Sequence, residues 1–142
     1  MDKVVRVGVA VNVERDGKYL LLKRTGVLGT NTWCPPGGKI EFGESIDNCA
    51  MREFKEEAGD NIVISKPLFV GITNDFFEKE NEHYVTIWMS AYYLDGEPII
   101  NEPNKFSDIG WFYPHEMNNM DLFLPVINFI NHNENCYMAE ED

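Results

Sequence analysis

The sequence predicts an α+β fold, an α/β/α sandwich around a mixed central sheet, and three observations predict it. Strand patterns stand on both sides of one strong helical segment, a second apolar segment at helical spacing lies near the end, and no repeat or low-complexity linker divides the chain. With 142 residues there is room for one core of ordinary size. We therefore expect a single domain over residues 1–132, followed by an acidic C-terminal tail over 133–142 that frays.

The first strand follows from Val5, Val7, Val9, Val11 and Val13, which alternate with Arg6, Gly8, Ala10, Asn12 and Glu14; a period of two marks a half-buried strand. Asp16-Gly17 turns the chain, and the short apolar run from Lys18 to Arg24 completes a hairpin. Residues 26–31 form a glycine-bearing loop. Pro35-Pro36-Gly37-Gly38 is a second break, so a helix can begin only after Gly43 and is expected over 45–58. Residues 62–64, 67–77 and 84–94 are rich in Val, Ile, Phe and Tyr between polar loops and read as strands, with one more short strand over 110–113. Residues 122–130 are apolar at helical spacing, and Pro125 fits only in the first turn of that helix.

A formal charge of −12 argues against a protein that grips a nucleic acid duplex or an anionic membrane, because either needs a basic face. An anionic partner would require an intervening cation. Cys34, Cys49 and Cys136 are too scattered for a disulfide framework or a Cys-x-x-Cys knuckle, and they read as reduced thiols in a cytoplasmic protein. No leader pattern opens the chain and no run of about 18 apolar residues occurs in it, so a soluble, unprocessed protein is expected.

The helix carries the chemistry. Over 45–58, Ile46, Ala50, Glu53 and Glu57 share one stripe, flanked by Cys49 and Phe54, while Asn48, Met51 and Lys55 fall on the other side. An ordinary solvated helix would keep its acids away from the apolar stripe; this one continues the stripe with them. Buried carboxylates cost several kcal/mol per ion unless paired or metal-bound, and Arg52 alone cannot offset Glu53, Glu56 and Glu57. A metal site removes the penalty. Spaced at i, i+3 and i+4, the three carboxylates lie on adjacent ridges, and oxygen donors without histidine or thiolate select Mg²⁺ or Mn²⁺. Mg²⁺ usually holds substrate phosphates, so the implied substrate carries them.

Gly38, Glu44, Arg52, Glu53, Phe54, Glu56, Glu57 and Gly59 match the Nudix box, G-x5-E-x7-R-E-U-x-E-E-x-G-U, in every invariant letter, U being a bulky apolar residue. The final U is Asp60 here, a departure expected to alter only local helix-to-strand packing. Eight constrained letters over 23 positions are a specific signal. The chain thus resembles the MutT-like Nudix hydrolases over roughly residues 3–130, and the stretch from Phe76 to Met89 is similar to their nucleoside triphosphate diphosphatases.

The resemblance implies the Nudix fold and a set of roles. Glu53 and Glu57 are metal ligands, Glu56 is a ligand or the base, and the Gly37 carbonyl joins them. Arg52 orients Glu53 through a charge-assisted hydrogen bond, and Glu44 stands near the site. Nucleotide contacts fall to Cys34, Pro35, Gly38, Thr86 and Leu124, the last within a segment, 122–125, that closes the base pocket; Arg24 is expected to meet phosphates from its own place at the end of the second strand. The loop over 78–82 reads better as a solvated hairpin tip than as the source of another metal-binding carboxylate. The expected activity is Mg²⁺-dependent hydrolysis of a nucleoside triphosphate, canonical or modified, to monophosphate and pyrophosphate, by a protein that, like many relatives, forms a homodimer. Hydrolysis of ADP-ribose or a nucleotide sugar is the nearest alternative, and a silent nucleotide-binding module is the alternative of another class.

Overall fold

Asp16 and Gly17 both take positive φ, 51° and 83°, the twist that a two-residue hairpin turn demands, and they join β1 (Val5–Arg15) to β2 (Lys18–Arg24). The structure, a computed structural model, describes residues 3–136. The remaining elements are β3 (Trp33–Cys34), β4 (Gly37–Lys39), α1 (Ile46–Ala58), β5 (Ile62–Ile64), β6 (Leu68–Phe77), β7 (Glu82–Gly96), β8 (Phe106–Phe112), α2 (Pro114–Met117) and α3 (Leu124–Cys136).

The sheet is mixed, as expected. β1 runs parallel to β7, from Val5 opposite His83 to Glu14 opposite Tyr92, whereas its other partners, β2 and β4, are antiparallel. The strand order is β3-β2-β1-β7-β5, with β4 on β1, β6 on β7 and β8 on β2. One helix covers each face. Val9, Val11, Val13, Leu20 and Met89 pack with Cys49, Ala50 and Phe54 of α1; Ala10, Leu22, Trp88 and Phe106 pack with Val126 of α3. Full burial of a side chain such as Phe54 contributes roughly 1.5–3 kcal/mol.

Four expectations change in detail. β1 is not half-buried along its length: Val5 and Val7 are exposed, while Val9, Ala10, Val11 and Val13 are buried because both faces are covered there. Pro35 and Pro36 break the chain, but β3 and β4 form on either side of them. β8 begins at Phe106 rather than at 110, and α3 runs to Cys136, past the boundary set at 132; residues 137–142 of the acidic tail lie outside the described residues. Among the described residues no helix is long and apolar enough to cross a membrane.

α1 starts where the turn chemistry places it. The Ser45 hydroxyl accepts the Asn48 N–H at 3.1 Å, and Gly59, at φ 90°, ends the helix. Its buried residues are Cys49, Ala50, Phe54, Glu57 and Ala58. Ile46 does not belong to that stripe: it is 38% exposed, because the whole first turn projects beyond the sheet and packing begins at Cys49. Met51, expected on the far side, is half-buried against the core. Asp60 is exposed, and Ile62 and Ile64 supply the buried apolar positions beyond it.

Candidate active site

Three segments converge on the inward side of α1. β4 is the closest, and glycine is what lets it approach: a Cβ at Gly38 would overlap the Glu53 carboxylate, and one at Gly37 would overlap the Val9 carbonyl. The Gly37 N–H donates to Glu57 Oε1 at 3.0 Å, so the contact this residue makes with the acids is through its amide. The second segment follows β7 and is tied to the C-terminus of α1. Ile99 N–H donates to the Ala58 carbonyl (2.9 Å), Asn101 N–H to that of Glu57 (3.2 Å), and the Asn101 side chain to that of Glu56 (3.0 Å). Those bonds satisfy carbonyls that a helix end leaves open, and they carry Glu102 toward Glu57. The third segment, from Gly26 to Leu28, faces them across a cavity.

Arg52 gathers three of the acids. Its Nε meets Glu44 Oε2 at 2.6 Å and its Nη2 meets Glu44 Oε1 at 3.0 Å, a forked contact, while Nη1 reaches Glu53 Oε1 (3.1 Å) and Glu56 Oε2 (3.3 Å). The hydrogen bond from Arg52 holds the Glu44 carboxyl down to about 2 and keeps the guanidinium charged. Glu44 is therefore a partner of Arg52, and Arg52 a partner of Glu53.

Glu57 and Glu53 are in the opposite condition to Glu44. Burial pushes Glu57 up to about 8, against the Gly37 N–H and with the charges of Glu53 and Glu102 adding to the rise. Burial likewise raises Glu53 to about 7, helped by hydrogen bonding with Glu56 and opposed by Arg52. Glu57 is only 6% exposed, and Glu102 Oε1 is buried with no hydrogen-bond partner among the described residues. An all-oxygen donor set with an orphaned buried carboxylate oxygen fits a hard divalent cation. With Glu53 and Glu56 both held by Arg52, no three acidic, His or Cys side chains among the described residues yet close around one point.

Glu53 and Glu57 line a cavity of about 340 Å³, and Arg24, Cys34, Pro35, Gly37, Gly38 and Thr86 line the same cavity. Glu44, Arg52 and Glu56 stand outside its lining, on the solvent side of α1. Leu124 is a correction: its neighbours Phe123 and Pro125 line the cavity and it does not, because consecutive residues entering a helix point about 100° apart. Arg24 donates from Nε to the Leu28 carbonyl at 3.0 Å and lies 3.9 Å from the Phe123 ring centroid, and among the described residues it forms no ion pair. Burial pushes the Cys34 thiol up to about 11 and the Cys49 thiol up to about 12, so neither is a ready nucleophile.

Several cavity residues were not anticipated. Lys105, 3.5 Å from Glu102, adds a cation to the lining, and Phe77, Trp88 and Phe123 add apolar surface to it. Glu102 lacked any periodic signal, since it sits in an irregular segment. None of residues 78–82 lines this cavity, and Glu82 is paired with Arg6 at 3.4 Å.

Comparisons with known proteins follow this geometry. The model of the NUDIX domain family matches residues 2–130. The chain is 29% identical over 119 residues to the nucleoside triphosphatase NudI of Escherichia fergusonii, covering 78% of this chain and 83% of that protein. It is 38% identical over 108 residues to the uncharacterized Nudix hydrolase YvcI of Bacillus subtilis, covering 76% of this chain and 64% of YvcI. Among solved structures, a MutT NUDIX hydrolase from Burkholderia pseudomallei superposes with a TM-score of 0.77 at 28% identity, over 90% of this chain and 95% of that one.

Proposed function

The chain belongs to the Nudix hydrolase family, and from that premise we propose that it hydrolyses nucleoside triphosphates to nucleoside monophosphate and pyrophosphate with Mg²⁺, or Mn²⁺ in its place. Enzymes of this family act on nucleotides and generally need a divalent metal ion; the triphosphate and the identity of the ion are our reading. One observation carries it: a single cavity joins under-satisfied carboxylates, Glu53 and Glu57, to apolar surface on Phe77, Trp88 and Phe123. Carboxylates for the metal-dependent chemistry and apolar surface for a base are the two things that a nucleotide site needs. The likeness to NudI, named a nucleoside triphosphatase, points the same way.

Glu53, Glu56, Glu57 and Glu102, with Gly37 beside them, would hold the cation. When bound, it neutralises phosphate oxygens and lowers the pKa of a bound water. Glu53 or Glu56 would take the proton of the attacking water. Arg52 holds Glu53 in place, and Glu44 holds Arg52. Arg24 and Lys105 meet the phosphate chain, Gly38 keeps β4 out of its way, and Cys34, Pro35 and Thr86 border the base. A homodimer and a cytoplasmic setting belong to the same reading, the latter because Cys34 and Cys49 are free thiols.

The test is pyrophosphate release by purified protein and Mg²⁺ from a panel of natural, oxidised and methylated nucleoside triphosphates, with ADP-ribose and nucleotide sugars alongside. Pyrophosphate from at least one triphosphate is expected. Turnover of ADP-ribose or a nucleotide sugar alone would replace this reading with the neighbouring one.

A further inference from the structure

A second carboxylate is buried just behind the lining of the cavity, bonded to Thr86. Asp75 of β6 is 0% exposed, and three donors converge on it from three elements. Its Oδ2 accepts the hydroxyls of Thr73 at 3.1 Å and of Thr86 at 2.6 Å, and its Oδ1 accepts the side-chain amide of Asn128, on α3, at 2.9 Å. The orientation of that amide is fixed independently, since the same Nδ2 also donates to the Asn74 carbonyl at 3.3 Å. Thr73 has no freedom either: Trp88 Nε1, a donor only, points at its oxygen at 2.9 Å, so the Thr73 proton goes to Asp75.

The same accounting settles Thr86. A hydroxyl has one proton, and a carboxylate can only accept. With its proton committed to Asp75, Thr86 has only lone pairs left for the cavity it lines, beside Gly8, where an added Cβ would come to 4.0 Å from that oxygen. We propose that Asp75 is a positioning residue for specificity: it makes Thr86 an obligatory acceptor in the base pocket, so that the pocket selects a base with an N–H or amino donor at that edge. The proposal rests on the reading that a nucleotide base occupies the cavity beside Thr86. Phe77, Trp88, Phe123 and Pro35 offer stacking surface, and Thr86 is, with Tyr84 and Asn104, one of the few uncharged hydrogen-bonding side chains in the lining.

Asp75→Asn should invert the device with little change of volume. The new carbonyl would face the Asn128 donor, the new amide would face the two threonine hydroxyls, and the Thr86 proton would turn to the cavity. The experiment measures kcat and KM with Mg²⁺ for pairs differing in a donor: GTP with ITP, ATP with purine riboside triphosphate, and CTP with pyrimidin-2-one riboside triphosphate. Wild type should favour the donor-bearing member of at least one pair. Asp75→Asn should cancel or reverse that preference by about tenfold or more, in KM rather than kcat, and Thr86→Val should abolish it. Equal losses for both members of every pair, or ratios unchanged within about twofold, would overturn the proposal, as would a wild type indifferent to all three pairs. If wild type releases pyrophosphate from none of these nucleotides, the proposed activity fails by itself, and the same ratios are read as Kd values by calorimetry with the corresponding monophosphates. If Asp75→Asn does not fold, the proton spectrum of wild type decides. A Thr86 hydroxyl proton protected from solvent exchange supports the proposal, and one exchanging as freely as an exposed hydroxyl refutes it.

Discussion

Glu57 and Asp75 are two carboxylates in nearly the same condition of burial, 6% and 0% exposed, and they differ in what faces them. Asp75 receives three hydrogen-bond donors and is complete within the protein. Glu57 receives one donor, the Gly37 N–H, and the like charges of Glu53 and Glu102 act on it more strongly than the opposite charge of Arg24. A buried carboxylate that the fold satisfies organises its neighbours; one that the fold leaves short of donors is built to receive charge from outside. In the function proposed above the two carboxylates would divide the work, Glu57 serving the cation and phosphates and Asp75 the base.

The largest expected effect that would break this division is on turnover. Glu57→Gln, or Glu53→Gln, should lower kcat by about a hundredfold or more while the metal-free domain stays folded, because each removes charge and leaves volume nearly unchanged. Asp75→Ala should do the reverse, costing roughly 3 kcal/mol in denaturant unfolding through the donors it strands. Equal stability losses from Glu57→Gln and Asp75→Ala would erase the contrast.

A pH series sharpens it. In metal-free protein Glu57 is raised from about 4.5 to about 8, so its contribution to stability is fully present below about 4.5 and is lost as pH rises toward 8. Glu44, lowered to about 2, has the opposite sign: its contribution is present above about 4.5 and is lost as pH falls toward 2. Thermal unfolding across pH should show Glu57→Gln flattening the first slope and Glu44→Gln the second. A smaller effect is expected from Arg52→Lys, about tenfold in kcat, since lysine cannot reproduce the forked contact with Glu44. Ile46→Ser should be nearly silent, within about 0.5 kcal/mol, because the first turn of α1 is exposed.

α1 and its acids were legible because every cue there is local: Ser45 before the helix, Gly59 after it, and glutamates at helical spacing between. Ile46 was misjudged for the same reason, since periodicity gives the face of a helix and not how far the sheet beneath it extends. The cavity itself was only half legible. Arg24, Cys34, Pro35, Gly38 and Thr86 were anticipated by resemblance, but Glu102, Lys105, Phe77 and Phe123 come together from separate elements, which no local pattern encodes. Asp75 left a signal that went unread. Thr73, Asp75 and Phe77 share one face of an alternating strand, so a charged residue on the inward side of β6 posed the same question as Glu57 on α1.

The contrast between the two carboxylates can be tested most directly by titrating Mn²⁺ into metal-free wild type, Glu57→Gln and Asp75→Asn, with binding read by calorimetry and by the loss of the free Mn²⁺ paramagnetic signal. Wild type and Asp75→Asn should bind with similar affinity, and Glu57→Gln should lose about tenfold or more. Unchanged Mn²⁺ binding in Glu57→Gln, or its loss in Asp75→Asn instead, would contradict the account.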